Sequence, residues 1–417
     1  MPAAHLHRLA LAAALAFIAI VCLPPSGEWK AVQVELCLLC GQNGAAASIL
    51  NVVLYLPLGA ALWWRYRSLR TVVVLGALCS LTVELVQLVI PGRDTALGDL
   101  VMNTLGASLG GLLAIRPSAW LLPRGTTARM ATALVALAAV AMFVMAGVLF
   151  TPVAPPGDYY ARWTPKNRFT PSYEGTVLEA QLGILALPDG PVSSSSDARA
   201  LIESLAPVRL RFVVGAPPPT LTAVFQIVAG PYGNGQEALQ VGIDGPHLVL
   251  TPRFRADDWR VSRPEVQIER AMESFHPGDT VTLVLQALRD RGFEVTLAER
   301  PPELVGYTVA RSWSLWYATF IRSEFVLRVM DLVWVAGLAA AVGWFALRTG
   351  DRVAALILMA AAAALTPRWT GLLPTPPLAY LALVAGGGAG VGLRRAAVAL
   401  VAAFSASRAS RAPADVP

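Results

Sequence analysis

Residues 84–110 read ELVQLVIPGRDTALGDLVMNTLGASLG and set ionisable side chains between two apolar segments. Glu84 and Gln87 lie one helical turn apart near the end of the apolar run 71–90. The spacing in the following segment places four more residues on one helical face: Asp99, Asn103, Gly106 and Gly110. Because charged groups inside or at the edge of a membrane span are costly, these residues predict a functional site.

The composition of the whole chain also indicates a membrane protein. Of its 417 residues, 55% are hydrophobic and 14% are charged, whereas about 25% of a soluble protein is charged. A membrane-spanning helix needs about 20 apolar residues. Predominantly apolar stretches, most of which reach about that length when their flanks are counted, predict helices at 9–24, 45–64, 71–90, 99–115, 130–150, 328–347, 352–367 and 376–393. We therefore predict a polytopic α-helical membrane protein with about eight transmembrane helices.

The domain organisation follows from where the charges crowd together. A helical membrane domain of about five helices occupies 1–150, about three helices occupy 328–395, and a cytoplasmic tail covers 396–417. Between them, 151–327 carries most of the acidic residues and no stretch long enough to span.

The insert, 151–327, has the pattern of an all-β domain. Alternating or β-branched runs predict seven strands, at Val177–Gln181, Val208–Val214, Thr222–Val228, Leu239–Ile243, His247–Thr251, Thr280–Leu285 and Phe293–Leu297. Gly- and Pro-containing turns separate the strands, and Ala198–Leu205 predicts one helix. Many short strands of this kind indicate a jelly-roll-like β-sandwich. The order of strands and turns resembles that of concanavalin A-like and laminin G-like domains, which implies carbohydrate binding.

The distribution of arginine predicts the orientation of the chain. Loops rich in Lys and Arg stay in the cytoplasm, and arginines cluster at alternate helix ends, at Arg8, at Arg65–Arg70, at Arg116–Arg129, at Arg348–Arg352 and at Arg394–Arg411. This places both termini in the cytoplasm and the insert on the extracytoplasmic (periplasmic) side, as expected for a protein of the inner (cytoplasmic) membrane. The net charge of +6 comes from these membrane segments and does not indicate a nucleic-acid partner.

The polar residues of the first domain are predicted to converge from three neighbouring segments. The helix before residue 84 adds Asn51 and Tyr55, with Pro57 and Gly59 as packing positions. The hairpin adds Arg93 and Asp94, and Arg93 is expected to neutralise one or two of the carboxylates. Gly106 and Gly110 form a small-xxx-small pair, which lets a second helix approach closely.

These spaced residues resemble the VanZ-like family. The pattern is Asn-x3-Tyr-x-Pro-x-Gly at 51–59, then Glu-x2-Gln at 84–87 and Arg-x5-Asp-x3-Asn-x2-Gly at 93–106. The resemblance covers about 10–115 and implies an integral membrane protein of the bacterial envelope. The founding member of that family is associated with resistance to the glycopeptide teicoplanin, so antibiotic resistance is an expectation. The insert and the three trailing helices lie outside the family pattern.

Three functions remain open from the sequence. In the first, the polar residues bind the head group of an envelope lipid, a lipid-linked glycan or a lipopeptide, and the insert adds recognition. In the second, Glu84 or Asp99 is the general base of a membrane-surface enzyme, although no catalytic signature is present. In the third, the residues fix the helices and the insert docks a periplasmic protein partner.

The insert and the cysteines add further expectations. Glycan binding would use exposed aromatic side chains: Tyr159, Tyr160, Trp163, Tyr232 and Trp259. The competing interpretation is that Trp163 and Trp259 are core or interface residues. The sequence predicts no metal and no cofactor, because one CxxC without a second pair is not a zinc ribbon. A disulfide between Cys37 and Cys40 stays an open alternative.

Overall fold

A computed structural model describes residues 3–25, 34–166, 172–230, 235–289, 292–317 and 321–409. The chain divides into two compact units. The first unit contains Met1–Gly125 with the short segments Asp257–Ser262 and Leu315–Tyr317, and the second contains Thr126–Ala256, Arg263–Ser314 and Ala318–Pro417.

The first unit is a bundle of helices. Its elements are α1 (Ala3–Cys22), β1 (Val34–Glu35), α2 (Gly44–Tyr66), α3 (Leu69–Gln87), β2 (Thr95–Ala96), α4 (Leu97–Leu113) and α5 (Pro117–Leu121). The side chain of Ser68 caps the start of α3 by accepting a hydrogen bond from the amide of Thr71. The apolar core of this unit contains side chains from all four helices α1, α2, α3 and α4, among them Ile18, Tyr55 and Ala107.

The remaining helices precede, separate and follow the strands of the second unit along the chain. They are α6 (Gly125–Leu149), α7 (Ser195–Glu203), α8 (Arg255–Asp258), a 3-10 helix (Val309–Leu315), α9 (Glu324–Phe345), α10 (Thr349–Trp369) and α11 (Pro377–Ala409). Helix α11 continues past residue 395, where the sequence predicted the start of a tail.

The number and length of the apolar helices match a multi-pass membrane protein. Within the described residues, seven helices are long and apolar enough to cross a membrane, and Leu97–Leu113 is a shorter apolar helix. The prediction of a polytopic helical membrane protein is therefore confirmed.

Between α6 and α9 the chain forms two antiparallel sheets. The strands are β3 (Tyr159–Trp163), β4 (Thr176–Leu182), β5 (Leu185–Ala186), β6 (Gly190–Pro191), β7 (Val208–Val213), β8 (Thr222–Ala229), β9 (Gln236–Asp244), β10 (His247–Pro252), β11 (Val266–Ile268), β12 (Thr280–Leu288), β13 (Gly292–Leu297) and β14 (Glu303–Val305). One six-stranded sheet has the order β11-β10-β9-β8-β3-β6, and the other has the order β14-β13-β12-β7-β4-β5. An inserted β domain is confirmed.

Alternation along the strands builds the core of the insert. On β12, Val281, Leu283 and Leu285 are buried while the residues between them are partly exposed. Leu283 lies opposite the buried Leu210 of β7. Side chains of one strand point alternately to opposite faces, so each strand presents one apolar face to the core.

A buried ion pair joins the end of the insert to α9. The carboxylate of Asp331 accepts hydrogen bonds from Arg311 at 2.7 Å and from the indole of Trp313 at 2.6 Å. The indole of Trp334 donates to Ser312 at 2.9 Å. An acid within α9 is thus paired with a guanidinium and an indole of the segment that precedes it.

Candidate functional site

The polar residues predicted from the sequence lie in the first unit, on α2, α3, α4 and the hairpin between α3 and α4. We call them the polar cluster: Asn51, Tyr55, Glu84, Gln87, Arg93, Asp94, Asp99 and Asn103.

Asp99 lies in the first turn of α4 and is half-buried. Its Oδ1 accepts a hydrogen bond of 2.8 Å from Nδ2 of Asn51 on α2. A carboxylate in this position is also stabilised by the positive end of the helix dipole. Asn51 is a neutral donor, so the negative charge itself has no counterion in this contact.

Glu84 is 8% exposed and faces the start of α4. Its Oε2 accepts a hydrogen bond of 3.2 Å from the backbone amide of Ala96, the residue that precedes α4. The carboxylate of Asp99 is within electrostatic range of Glu84. Glu84 and Asp99 therefore each accept one hydrogen bond from a neutral donor, and their carboxylates interact electrostatically.

Arg93 and Gln87 bind the end of α1. Arg93 donates from Nε to the carbonyl of Pro24 at 3.1 Å and from Nη2 to that of Val21 at 3.2 Å. Gln87 donates from Nε2 to the carbonyl of Cys22 at 3.0 Å. The last carbonyls of a helix lack partners within it and attract cations.

This geometry corrects the expectation that Arg93 neutralises the carboxylates. Within the described residues, Arg93 forms no ion pair with Glu84 or Asp99. The physical reason is that the exposed carbonyls at the end of α1 engage its guanidinium instead. Asp94 is exposed on the hairpin.

Two buried polar atoms of the polar cluster have no hydrogen-bond partner among the described residues. Asn103 donates from Nδ2 to Oγ of Ser80 at 3.0 Å, while its Oδ1 is unsatisfied. Tyr55 is fully buried, and the side chains near its hydroxyl include Ser80 and Cys79. Such groups are rare in native structures and call for an explanation.

Ser80 and the carbonyl groups at the end of α1 were not among the site residues predicted from the sequence. Ser80 lies four residues before Glu84, on the same helical face, so its spacing was an available signal. A backbone carbonyl leaves no such signal, because every residue carries one.

Glycines bring α2 and α4 into contact and so set the geometry of the cluster. A Cβ atom at Gly59 would lie 1.8 Å from the carbonyl oxygen of Ala107. Cβ atoms at Gly106 and Gly110 would lie 2.3 Å and 2.0 Å from the carbonyl oxygens of Val52 and Leu56. Pro57 lies inside α2, which continues from Gly44 to Tyr66.

Comparison with known proteins locates a family match in this unit. Residues 11–123 match VanZ/LLP1. This segment is a VanZ-like region. It covers about a quarter of the chain and includes every residue of the polar cluster, whereas the insert and α9 to α11 lie outside it. No curated protein and no solved structure matches the chain.

The segment 34–40 of the VanZ-like region contacts the start of α4. Strand β1 pairs in parallel with β2, and the amide of Gly98 donates to the carbonyl of Cys37 at 3.1 Å. Cys37 and Cys40 form a disulfide. With Glu35 they are the one group of potential metal ligands in the described chain, but the disulfide leaves no thiolate to bind an ion.

The aromatic residues proposed for glycan contact differ in exposure. Trp259 is 68% exposed, whereas Trp163 on β3 is partly buried and donates from its indole to the carbonyl of Leu187. Tyr159 was expected to be exposed but is 1% exposed, and its hydroxyl donates to the carbonyl of Pro155. It is therefore a core residue, because the inward position on β3 buries its ring. Tyr160 is partly buried, and Tyr232 lies outside the described residues.

Proposed function

We propose that the polar cluster of this VanZ-like membrane protein binds the polar head group of a cell-envelope lipid, a lipid-linked glycan or a lipopeptide. The observation that carries the proposal is the state of Glu84 and Asp99. Each carboxylate accepts one hydrogen bond from a neutral donor, and neither has an ion pair with any described residue.

A buried acid in the second unit differs from Glu84 and Asp99 because it has a cationic partner. Asp331, the buried acid of α9, is held by the guanidinium of Arg311 and the indole of Trp313. A buried charge needs such partners, because an unpaired ion in an apolar environment costs several kcal/mol, on the order of the stability of a domain. Glu84 and Asp99 have no such counterion among the described residues, which supports a donor or cation supplied by a ligand.

The chemistry of the cluster narrows the class of ligand. Carboxylates, the free Oδ1 of Asn103 and the hydroxyl of Tyr55 are all hydrogen-bond acceptors or can act as one. A head group with amine or hydroxyl donors would satisfy them, and an amine would also neutralise the acids. An anionic phosphate alone would be repelled.

The position at helix ends supports a ligand at the lipid–water boundary. Glu84 lies in the last turn of α3 and Asp99 in the first turn of α4. Ionisable residues at this depth mark ligand pathways in membrane proteins. The arginine distribution supports an inner-membrane location with this boundary on the extracytoplasmic side, and the exposed Trp259 supports a role of the insert segment in contacting a glycan.

The proposal is tested by native mass spectrometry of the full chain, extracted gently, against Glu84→Gln and Asp99→Asn. Both substitutions keep the side-chain size and remove the charge. Glu324→Gln is the matched control, because it removes a more exposed carboxylate that pairs with Arg328 on α9. A lipid retained by the parent and the control but lost from both cluster variants is the expected result. Equal lipid on all four proteins overturns the proposal and leaves the structural role.

A further inference from the structure

A groove of about 670 Å³ lies between α10 and α11, in the second unit. Its walls are apolar and include Leu356 and Leu383. Val384 and Ile357, which also line it, are 67% and 63% exposed, so the groove opens on the side of the helices that faces lipid.

Glycines shape the groove on α11. The side chain of Leu356 packs against Gly387, where a Cβ would lie 2.8 Å from its Cδ1. A Cβ at Gly388 would meet nothing within 4 Å. Gly388 therefore lines open space, and the depth of the groove depends on the absence of a side chain there.

Two arginines lie at one end of the groove. Arg352 is in the first turns of α10, and Arg395 lies near it on the antiparallel α11. Neither has an ion pair within the described chain, whereas Arg129 pairs with Asp351 and Arg394 donates to the carbonyl of Trp344. The positive charges of Arg352 and Arg395 are thus free to bind an anion.

The length of the groove suits an acyl chain. Along α11 it extends over the fifteen residue steps from Tyr380 to Arg395, which is about 22 Å at about 1.5 Å per step. One leaflet of hydrocarbon is about 15 Å thick, half of the full core. An acyl chain anchored at the arginines would therefore lie within the groove.

We propose that this groove binds an anionic phospholipid, with its phosphate at Arg352 and Arg395 and one acyl chain along Gly388. Basic pockets between membrane helices bind anionic head groups, and the cytoplasmic leaflet, where the positive-inside rule places these arginines, is rich in them. This site is separate from the polar cluster, which is acidic and suits donors.

The test is native mass spectrometry of the full chain in detergent, titrated with phosphatidylglycerol or with zwitterionic phosphatidylethanolamine. The expected result is at least tenfold weaker phosphatidylglycerol binding to the double variant Arg352→Gln/Arg395→Gln and to Gly388→Leu, which fills the groove. Arg348→Gln and Gly392→Leu are the matched controls. The first removes a charge at the same helix end, and the second adds a side chain in open space one turn away. Neither residue lines the groove, and both variants should bind as the parent does.

Three results would overturn the proposal. The first is unchanged phosphatidylglycerol binding in either groove variant, and the second is equal affinity for the two lipids. The third is a lipid-free dimer that Gly388→Leu disrupts, which would make the groove a protein interface. Melting temperatures measured alongside establish that each variant is folded.

Discussion

The side chain of Asn51 on α2 donates a hydrogen bond of 2.8 Å to the carboxylate of Asp99 on α4. The two residues are 48 positions apart, so the contact forms only when α3 and its hairpin have returned the chain to α2. It joins the glycine-packed helix pair to the acidic part of the polar cluster.

Replacing Asn51 should destabilise the protein more than neutralising Asp99. Asn51→Ala leaves a half-buried carboxylate without its donor, which costs about 1–3 kcal/mol of unfolding free energy. Asp99→Asn removes the charge but keeps an amide oxygen that can accept the hydrogen bond from Asn51, so its cost should be below about 1 kcal/mol. Chemical unfolding of both variants in the same detergent measures the difference, and the opposite order would contradict the assigned contact.

Adding a methyl group at Gly59 should separate α2 from α4. Its Cβ would overlap the carbonyl of Ala107, and overpacking of this kind costs about 1–3 kcal/mol. Gly337→Ala on α9 is the control, because nothing lies within 4 Å of its Cβ position. There the change should stabilise the helix by up to about 1 kcal/mol. Thermal unfolding compares the two, and equal melting temperatures would argue against the close approach of α2 and α4.

Arg311→Ala should be among the most destabilising single substitutions in the second unit. The substitution leaves the buried carboxylate of Asp331 without its cation, which should lower the free energy of unfolding by about 3–5 kcal/mol. Arg328→Ala breaks an exposed pair with Glu324 on the same helix and should cost less than about 1 kcal/mol. Equilibrium unfolding of both variants provides the check. A small effect at Arg311 would mean that Trp313 alone supports Asp331.

The disulfide predicts a labelling pattern that also reports topology. Disulfides persist in oxidising compartments, so Cys37 and Cys40 of protein purified without reductant should resist alkylation. After denaturation, Cys22 and Cys79, which are free, should be labelled at once and the other two only after reduction. Intact mass reads the number of labels. Four labels without reduction would place this segment in a reducing compartment and contradict the orientation derived from the arginines.

Much of the fold could be predicted from local pattern. The seven predicted strands correspond to β4, β7, β8, β9, β10, β12 and β13, because each is rich in β-branched residues or alternates apolar with polar residues. Strand β3 was missed, since YYARW contains no β-branched residue and is held by its pairing with β8. The short β11 and β14 also depend on their neighbours for their hydrogen bonds.

The polar cluster was predictable only in part, for a related reason. The sequence spacing predicts which residues share a helical face, as it does for Asp99 and Asn103. The partners of Arg93 do not, because they are carbonyls 69 and 72 residues earlier in the chain. The role of its charge could be assigned only after the end of α1 had been located in space.

Helix α4 has 17 residues, which gives it a length of about 25 Å, while the hydrocarbon core of a bilayer is about 30 Å thick. A short helix of this kind is accommodated by local thinning of the bilayer or by drawing its polar flanks inward. The hairpin before α4 carries Arg93 and Asp94, so drawing it inward would desolvate charges. In a bilayer that α4 crosses, hydrophobic mismatch would therefore favour a thinned annulus of lipid beside this helix and bring head groups closer to Asp99 in its first turn.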